Sequence, residues 1–433
     1  MNNPAFMSLR RFSGLVLLCL LLVACSPSEP ITNQEVTPTA AIEGSAEATE
    51  DVASTEGPRG PVTLRLWLPP SFSTFNGDPA STLLQERLTL FHEQYPNIQI
   101  DIRLKTVDGS GSMLDSWSYA AEAAPLALPD VVLLNNQQFD TAFSEGLLQA
   151  VNTEESSLSE TDWYPFAREL VERDGVVFGW PFAADAMILM HRFSAIENPP
   201  SRWADTLAEP LVLAFPAGES QANYLLLQYA SMQEQNGAEV SYQLIDSASM
   251  QRILSYLNEG QANGIFPLWL TQLINDEEAW QAFLDGRSPM VVTWSNRFFM
   301  SQDDNQGAGA IPTFDGSIHS YVRSWAWAVA SQDAERMQLA DSLAEFLSDP
   351  EFMAQWSAAA GYLPARESAL LAWAPSPKQA LGLVIAPQAA QMPSVEIRAQ
   401  VGKVFSEVLI AMFKDELDVA EANQLIQDQL ASP

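Results

Sequence analysis

The side chains with the most reactive chemistry in this sequence are two cysteines and three histidines. Cys19 and Cys25 both lie near the N-terminus, whereas His92, His191 and His319 are far apart along the chain. A zinc site usually draws its ligands from closely spaced Cys and His pairs, and a disulfide framework needs several cysteines along the fold. The sequence therefore predicts neither a zinc cluster nor a disulfide-stapled domain, and we expect no metal or other cofactor.

The sequence also lacks the short motifs that mark most enzymes. It contains no Gly-x-Ser-x-Gly, no His-Glu-x-x-His and no P-loop. A glycosidase needs only two carboxylates at a set separation, and 54 acidic residues leave that alternative open. We therefore expect no catalytic residues, and a glycoside-active enzyme is the remote alternative.

Residues 1–24 have the pattern of an export signal. Arg10 and Arg11 form a positive n-region, and Leu15 to Val23 is an apolar run too short to span a bilayer. The end of the segment, Leu-Val-Ala followed by Cys25, resembles the lipobox of bacterial lipoproteins, in which the cysteine is diacylated and becomes the mature N-terminus. No later segment offers about 18 uninterrupted apolar residues, so we expect this lipid to be the only membrane anchor.

Residues 25–60 have the composition of a flexible tether. The segment is rich in Ser, Thr, Pro, Ala and Glu, contains no aromatic residue, and carries seven acidic residues against the single basic residue Arg59. Such a chain cannot bury enough apolar surface to order itself. We expect it to link the lipid to a folded domain, either bare or as a glycosylated stalk.

The chain is strongly acidic, with 21 basic residues against 54 acidic ones and a formal net charge of -33. Such a surface repels the phosphates of duplex nucleic acid, so nucleic acid is excluded as a partner. It would attract a cation such as a polyamine, although a solubilising surface explains the same charge.

From residue 61 onward the pattern alternates between strands and helices, as in an α/β layered domain. Residues 62–68 and 98–104 place apolar side chains at every second position, and residues 79–95 between them repeat at helical spacing. The run Asp130 to Leu134 is apolar throughout, which is typical of a buried parallel strand, and residues 139–148 follow as a helix. Further helices are predicted over residues 223–235, 247–258, 275–284, 333–347 and 350–359, and further strands over 289–294 and 323–330.

Five short strings of this sequence occur in an order that resembles the extracellular solute-binding proteins of bacterial ABC importers. Within that family the strings resemble the carbohydrate-binding branch, which includes maltodextrin-binding proteins. The strings are PDVVLL at 129–134, EGLLQ at 145–149, GWPFAADAMILMH at 179–191, FLDGRSPM at 283–290 and GYLPAR at 361–366.

This resemblance implies the α/β periplasmic-binding-protein fold, in which two lobes enclose a ligand cleft and strands cross between them. Residues 181–188 would be the first crossing and residues 317–327 the second. The first lobe would hold residues 61–183 with 328–363, and the second lobe residues 184–316 with 364–433.

Sugar recognition needs carboxylates and amides for the hydroxyl groups and aromatic rings for the flat C–H faces of a pyranose. The sequence supplies both where the ligand loops of the family fall, partly at the carboxyl ends of predicted strands, where open α/β sheets place ligands. The candidate ligand-binding residues are Asn76, Asp78, Asn135, Gln137, Gln138, Asp185, Glu219, Gln221, Asn223, Trp294, Asn296 and Trp325.

The sequence also departs from the maltodextrin branch in ways that leave the substrate open. Leu133 and Leu134 stand where an aromatic residue is common, Gln137 and Gln138 where charged residues are common, and His191 where a tyrosine is usual. Neutral amides in the candidate loops suit a neutral ligand.

The prediction is therefore an extracytoplasmic, lipid-anchored, monomeric receptor that captures a sugar or oligosaccharide by lobe closure and delivers it to the permease subunits of an ABC transporter. The alternatives are a receptor for a polyamine or another small solute, and a sugar sensor that signals to a membrane kinase.

Overall fold

The computed structural model describes residues 60–123, 127–151, 161–237 and 240–431. The predicted export signal, Cys25 and nearly all of the predicted tether lie outside the described residues. None of the helices in the described ranges is both long and apolar enough to cross a membrane.

The described residues form strands and helices in alternation. The strands are β1 (Val62–Leu68), β2 (Ile98–Leu104), β3 (Val131–Asn135), β4 (Glu172–Arg173), β5 (Val176–Val177), β6 (Gly179–Arg192), β7 (Leu213–Ala214), β8 (Met290–Trp294), β9 (Gln306–Gly309), β10 (Ser320–Val329), β11 (Leu363–Pro364) and β12 (Ala389–Gln391). The helices are α1 (Pro79–Gln94), α2 (Met113–Ala123), α3 (Asn136–Ser144), α4 (Pro165–Val171), α5 (Trp203–Ala208), α6 (Asn223–Gln235), α7 (Ser247–Ala262), α8 (Asp276–Leu284), α9 (Ser295–Met300), α10 (Ala334–Leu347), α11 (Pro350–Ala360), α12 (Glu367–Leu371), α13 (Pro377–Ile385), α14 (Val395–Ile397), α15 (Lys403–Phe413) and α16 (Val419–Leu430).

The first βαβ unit forms as its periodicity predicts. Strands β1 and β2 pair in parallel over their whole length, from Val62 opposite Ile98 to Leu68 opposite Leu104. Helix α1 connects them; it begins after Asp78, whose carboxylate accepts a 2.7 Å hydrogen bond from the Ser81 amide, and it ends before Pro96. The mixed α/β fold class predicted from the sequence is confirmed by these elements and by the sheet that they join.

The main sheet has the strand order β2-β1-β3-β10-β6-β8-β7. Strands β1, β2 and β3 are parallel and form its first half, and the parallel strands β7 and β8 form its second half. Strand β6 belongs to both halves, because its residues 179–186 pair with β10 and its residues 187–191 pair with β8. The two halves are therefore joined by continuous, hydrogen-bonded strands.

Strand β10 crosses the sheet in the same way. Its residues 325–329 pair antiparallel with β3, and its residues 320–322 pair with β12. A third connection runs through residues 363–391, because β11 pairs with β6 and β12 pairs with β10. Crossings were predicted from the sequence at residues 181–188 and 317–327, but this third connection was not. The assignment of residue ranges to two lobes stays a prediction.

Both faces of the first half of the sheet are covered by apolar packing. Leu64, Leu66 and Leu68 of β1 point into one hydrophobic core, and Trp67 of the same strand points into another with Trp117 of α2. The alternation of strand side chains places successive residues on opposite faces. This two-sided burial is what the uninterrupted apolar run at β3 predicts.

Helix α3 begins earlier than the sequence analysis expects. The predicted helix covers residues 139–148, but the structure starts it at Asn136 and ends it at Ser144. The cause is a capping box, in which the Asn135 side chain accepts a bond from the Gln138 amide while the Gln138 side chain accepts one from the Asn135 amide. The polar run 135–138 is thus a helix start and not a loop.

Candidate functional site

Two adjoining cavities lie at strand ends, one beside β8 of the second half of the sheet and one beside β3 of the first half, and we call them together the cleft. Cavity A has a volume of about 150 Å³ and is lined by Glu219, Gln221, Asn223, Thr293 and Trp294, among others. Cavity B has a volume of about 290 Å³, and its own lining residues are Asn135, Asn136, Gln137, Trp325 and Tyr362. Arg323, Met392 and Arg398 line both cavities, so the two volumes share a wall.

The amide side of cavity B is built by the junction of β3 and α3. The side chains of Asn135 and Gln138 form the capping box, and the Gln138 amide nitrogen also donates a 3.2 Å bond to the Val107 carbonyl. Gln138 is buried by these contacts, whereas Gln137 is exposed and lines the cavity. Gln137 is therefore the amide of this run with the most freedom to meet a ligand.

The opposite side of cavity B is aromatic. The ring centroid of Trp325 lies 5.1 Å from that of Tyr362 and 5.4 Å from that of Phe72. Tyr362 also stacks on Trp356 with an interplanar angle of 7°. Burial raises the pKa of the Tyr362 hydroxyl to about 12, so this hydroxyl is neutral and can donate a hydrogen bond.

Cavity A is shaped by the turn before α6. Ala222, the residue before this helix, has the left-handed conformation with φ 46°, which L-residues other than Gly, Asn and Asp rarely adopt. It separates Gln221 from Asn223, and both of these side chains line the cavity. On the other side of the turn, the backbone of Gly402 approaches Gln221 so closely that a Cβ atom would overlap the Gln221 carbonyl.

Glu219 is one of two carboxylates that line cavity A; the other, Asp276, is paired with Arg297. The Glu219 side chain accepts a 2.8 Å bond from the Asn223 amide group and a 3.3 Å bond from the Asn223 backbone amide. Burial raises the pKa of Glu219 to about 7, the Asp276 carboxylate adds to this increase, and the two Asn223 bonds and the Arg398 charge partly oppose it. Near neutral pH this group is therefore poised between its acid and its carboxylate form.

Asp185 lies behind the cleft and fixes one of its arginines. Its carboxylate is 2% exposed and accepts bonds from the Ser295 hydroxyl at 3.0 Å and from the Asn296 amide at 2.9 Å. The Arg323 guanidinium donates a third bond of 2.9 Å to the same carboxylate. Asp185 thus connects β6, β10 and the start of α9 at the point where β6 passes between the halves of the sheet.

Arg323 also covers the face of a tryptophan. Its guanidinium carbon lies 3.8 Å from the ring centroid of Trp294, which is the range of a cation–π contact. Trp294 lines cavity A but is only 7% exposed. One face of this ring is therefore occupied by the protein itself.

Four buried polar atoms on residues that line cavity A have no hydrogen-bond partner among the described residues. They are the Nε of Arg323, the Oδ1 of Asn223, the hydroxyl oxygen of Tyr224 and the Oγ1 of Thr293. Buried polar atoms are nearly always paired in folded proteins, because an unpaired one keeps its desolvation cost. These atoms include a hydrogen-bond donor, an acceptor and hydroxyl oxygens. A ligand with several hydroxyl groups could form hydrogen bonds with all of them.

The structure separates the predicted ligand-binding residues into groups. Cavity A contains Glu219, Gln221, Asn223 and Trp294, and cavity B contains Asn135, Gln137 and Trp325. The other five lie outside both cavities. Asp78 caps α1 and lines a separate cavity of about 220 Å³, and Asn76 is exposed beside it; Gln138, Asp185 and Asn296 are held by bonds within the protein.

Arg323, Arg398, Tyr362 and Met392 line the cleft but were not among the predicted residues. Arg323 could have been found, because it precedes Trp325 by two positions on one strand and so shares its face. Tyr362 belongs to the quoted string GYLPAR. No pattern in the sequence indicates that Arg398 lines the cleft, because its hydrogen bond to Gln221 joins positions that are distant in the sequence.

The described residues contain no group of three or more His, Cys, Asp or Glu side chains that could hold a metal ion. The cleft instead offers amides, aromatic rings and guanidinium groups.

Comparison with known families gives the class of this protein. A family model for bacterial extracellular solute-binding proteins matches residues 89–381, which is more than half of the chain. The chain therefore belongs to this family, whose members are solute-binding proteins of the ABC-import type and not enzymes. A search by sequence among curated proteins found no match.

Solved structures give the same fold at low identity. The maltose-bound MalE3 protein of T. maritima has a TM-score of 0.60 and 18% identity, covering 86% of this chain and 99% of that one. The ligand-free maltodextrin-binding protein MalE1 of L. casei BL23 has a TM-score of 0.66 and 14% identity over 86% and 99%. The sugar-binding protein MalE of Xanthomonas citri has a TM-score of 0.63 and 18% identity over 86% and 98%. The expected periplasmic-binding-protein fold is thereby confirmed.

Proposed function

We propose that this protein captures a sugar or oligosaccharide in the cleft, closes its two lobes on it and delivers it to a membrane permease. The observation that carries this proposal is the composition of the cleft. Unpaired polar atoms in cavity A stand beside the aromatic wall of cavity B, which suits a ring with hydroxyl groups on its edge and C–H groups on its faces. The maltose and maltodextrin binders among the solved structures of this fold add support.

Lobe closure follows from contacts on both sides of the cleft. Gln137 lies in the first turn of α3, directly after β3 of the first half of the sheet, and Glu219 lies next to the second half, after β7. A ligand that touches both groups binds the closed form better than the open form and shifts the population toward it. The backbone change would be absorbed where β6 and β10 pass between the halves.

The test combines a thermal-shift screen with small-angle X-ray scattering on the purified full-length protein. A sugar at 100 times its dissociation constant stabilises the folded state by about 2.7 kcal/mol, which identifies binders in a panel. A binder should also reduce the radius of gyration. Replacing Gln137 and Glu219 together by Ala should abolish this reduction, whereas the same change at the exposed Gln85 and Glu86 of α1 should not. Binding at an unchanged radius would leave a rigid cleft and contradict closure.

We further propose that a lipid on Cys25 holds the protein at the outer side of a bacterial membrane. The change Cys25→Ser should release the protein from the membrane fraction or leave the export signal uncleaved. A single acyl chain binds a membrane only reversibly, so two chains are needed for a stable anchor. Membrane retention of a cleaved Cys25→Ser protein would contradict the anchor.

The cleft gives less support to a cationic ligand such as a polyamine. Arg323 and Arg398 line both cavities, and their positive charge repels a cation at short range. A role as a sugar sensor would use the same cleft, and genes for permease subunits beside this gene would favour transport.

A further inference from the structure

The guanidinium group of Arg398 is buried in the cleft without a carboxylate partner. Arg398 is 9% exposed, and no ion pair joins it to an acidic side chain in the described part of the chain. Its Nη1 donates a 2.6 Å bond to the Gln221 side-chain oxygen, and its Nε donates a 3.0 Å bond to the Pro393 carbonyl. Both acceptors are neutral. A buried charge in this situation keeps much of its desolvation cost, which an anion would offset.

The carboxylates near the cleft do not supply that anion. Asp185 is bonded to Arg323 at 2.9 Å, and Asp276 is bonded to Arg297 at 2.9 Å. Glu219 has a pKa of about 7 because it is buried, so about half of it is uncharged at neutral pH. Asp185 and Asp276 are thus neutralised by other arginines, and Glu219 holds only part of its charge. The charge of Glu396 also acts on Arg398, but Glu396 is exposed to solvent and makes no ion pair or hydrogen bond with the guanidinium group among the described residues.

Cavity B is positive and rich in hydrogen-bond donors. Its lining consists of Arg323, Arg398, three side-chain amides, Trp325, Tyr362 and Met392, with no carboxylate among them. The Nε of Arg323 makes no hydrogen bond within the described residues, and only its Nη2 is bonded to Asp185. Arginine presents its donors in a planar fork that matches the oxygens of carboxylate, phosphate and sulfate groups.

We infer that the cleft selects a sugar that carries an anionic group, and that Arg398 and Arg323 bind this group in cavity B. The inference rests on the proposed sugar-binding function and narrows its substrate class to acidic saccharides: uronates, sugar phosphates or sugar sulfates. The net charge of -33 repels any anion at long range, so the two guanidinium groups must act on the bound ligand at short range.

The experiment compares matched acidic and neutral ligands on the full-length protein by isothermal titration calorimetry. The probes are glucose, galactose and mannose with their disaccharides, the corresponding uronates, the methyl esters of those uronates, and one phosphate and one sulfate of each sugar. The esters keep the shape of the uronates but lack their charge. At least one acidic probe should bind about tenfold or more tightly than its neutral counterpart, the scale of one charge-assisted bidentate contact.

Variants of Arg398 test whether this residue causes the preference for the acidic probe. The change Arg398→Gln should remove most of the difference between the acidic probe and its neutral counterpart, and Arg398→Lys should keep part of it, because lysine retains the charge without the fork. Arg252→Gln, which removes an exposed arginine on α7, should leave the difference unchanged. If Arg398→Gln does not fold, Arg398→Lys decides instead: a reduced acidic preference supports the assignment to Arg398, and an unchanged preference refutes it.

The outcomes separate the inference from the proposed function. Equal or tighter binding of the neutral sugars would overturn the inference and leave the sugar receptor intact, with Arg398 serving only to hold Gln221. An acidic preference that is undiminished in both Arg398 variants would overturn the assignment of the site. If no probe of either kind binds, both the proposed function and the inference are wrong.

Discussion

The pH dependence of folding stability should reveal the buried state of Glu219. Its pKa is about 7 in the folded protein against an ordinary value of 4.5. Between these values the folded state binds a proton that the unfolded state has released, so the free energy of unfolding falls as the pH rises. A shift of this size corresponds to about 3 kcal/mol at a pH above both values.

Glu219→Gln tests this account directly. The Gln side chain keeps one oxygen, which can accept the 2.8 Å bond from the Asn223 amide group, and like the protonated acid it has no charge to desolvate. We expect the variant to be nearly as stable as the wild type at about pH 5 and more stable by up to about 3 kcal/mol at about pH 8.

The assay is urea unfolding of both proteins at intervals from about pH 5 to pH 8, because the difference between them removes the titration of all other groups. Glu259→Gln, at an exposed position of α7, is the matched control and should show a flat difference. If the Glu219→Gln difference is also flat, or if the wild type gains relative stability as the pH rises, burial does not control this carboxyl.

Three further changes test other parts of the cleft. Asp185→Asn should destabilise the fold by about 3 kcal/mol in urea unfolding, since it removes a buried charge bonded to Arg323; a loss below about 1 kcal/mol would refute the role of this ion pair. Trp294→Ala should weaken sugar binding by about 1 to 3 kcal/mol in calorimetry. A variant that unfolds would instead make Trp294 a core residue. Ala222→Gly should raise the free energy of unfolding by about 1 kcal/mol, because glycine adopts the φ of 46° at this position without steric strain. Ala230→Gly inside α6 should lower it by about 1 kcal/mol. Equal effects of the two changes would argue against backbone strain at Ala222.

Local periodicity predicted the elements of this fold well. The bounds of β1, β2 and α6 match the expected ranges. Strands β1 and β2 alternate strictly between apolar and polar residues, whereas α6 is buried on nearly all sides and begins without a side-chain cap. The short strands β9, β11 and β12 could not be predicted in this way. Each has only two to four residues and exists through its pairing with β6 or β10.

The cleft was predicted in part. Strand ends and polar runs located Gln137, Glu219 and Trp294 at its wall. The same reasoning could not separate Gln138, whose amide closes a capping box, from Gln137, whose amide is free to meet solvent. It also could not place Arg398, because the position of that guanidinium depends on how the C-terminal helices pack against the turn before α6.

The central position of β10 has a consequence for the order of folding. Strand β3 ends at Asn135, but the partner on its open edge is β10, which begins only at Ser320. During synthesis the first half of the sheet therefore lacks its neighbour until most of the chain has been made. Pairings between distant segments are slow to form, and an unpaired strand edge invites aggregation. We expect the nascent chain to stay largely unfolded until late in translation, which is the state in which a polypeptide can be threaded through a membrane.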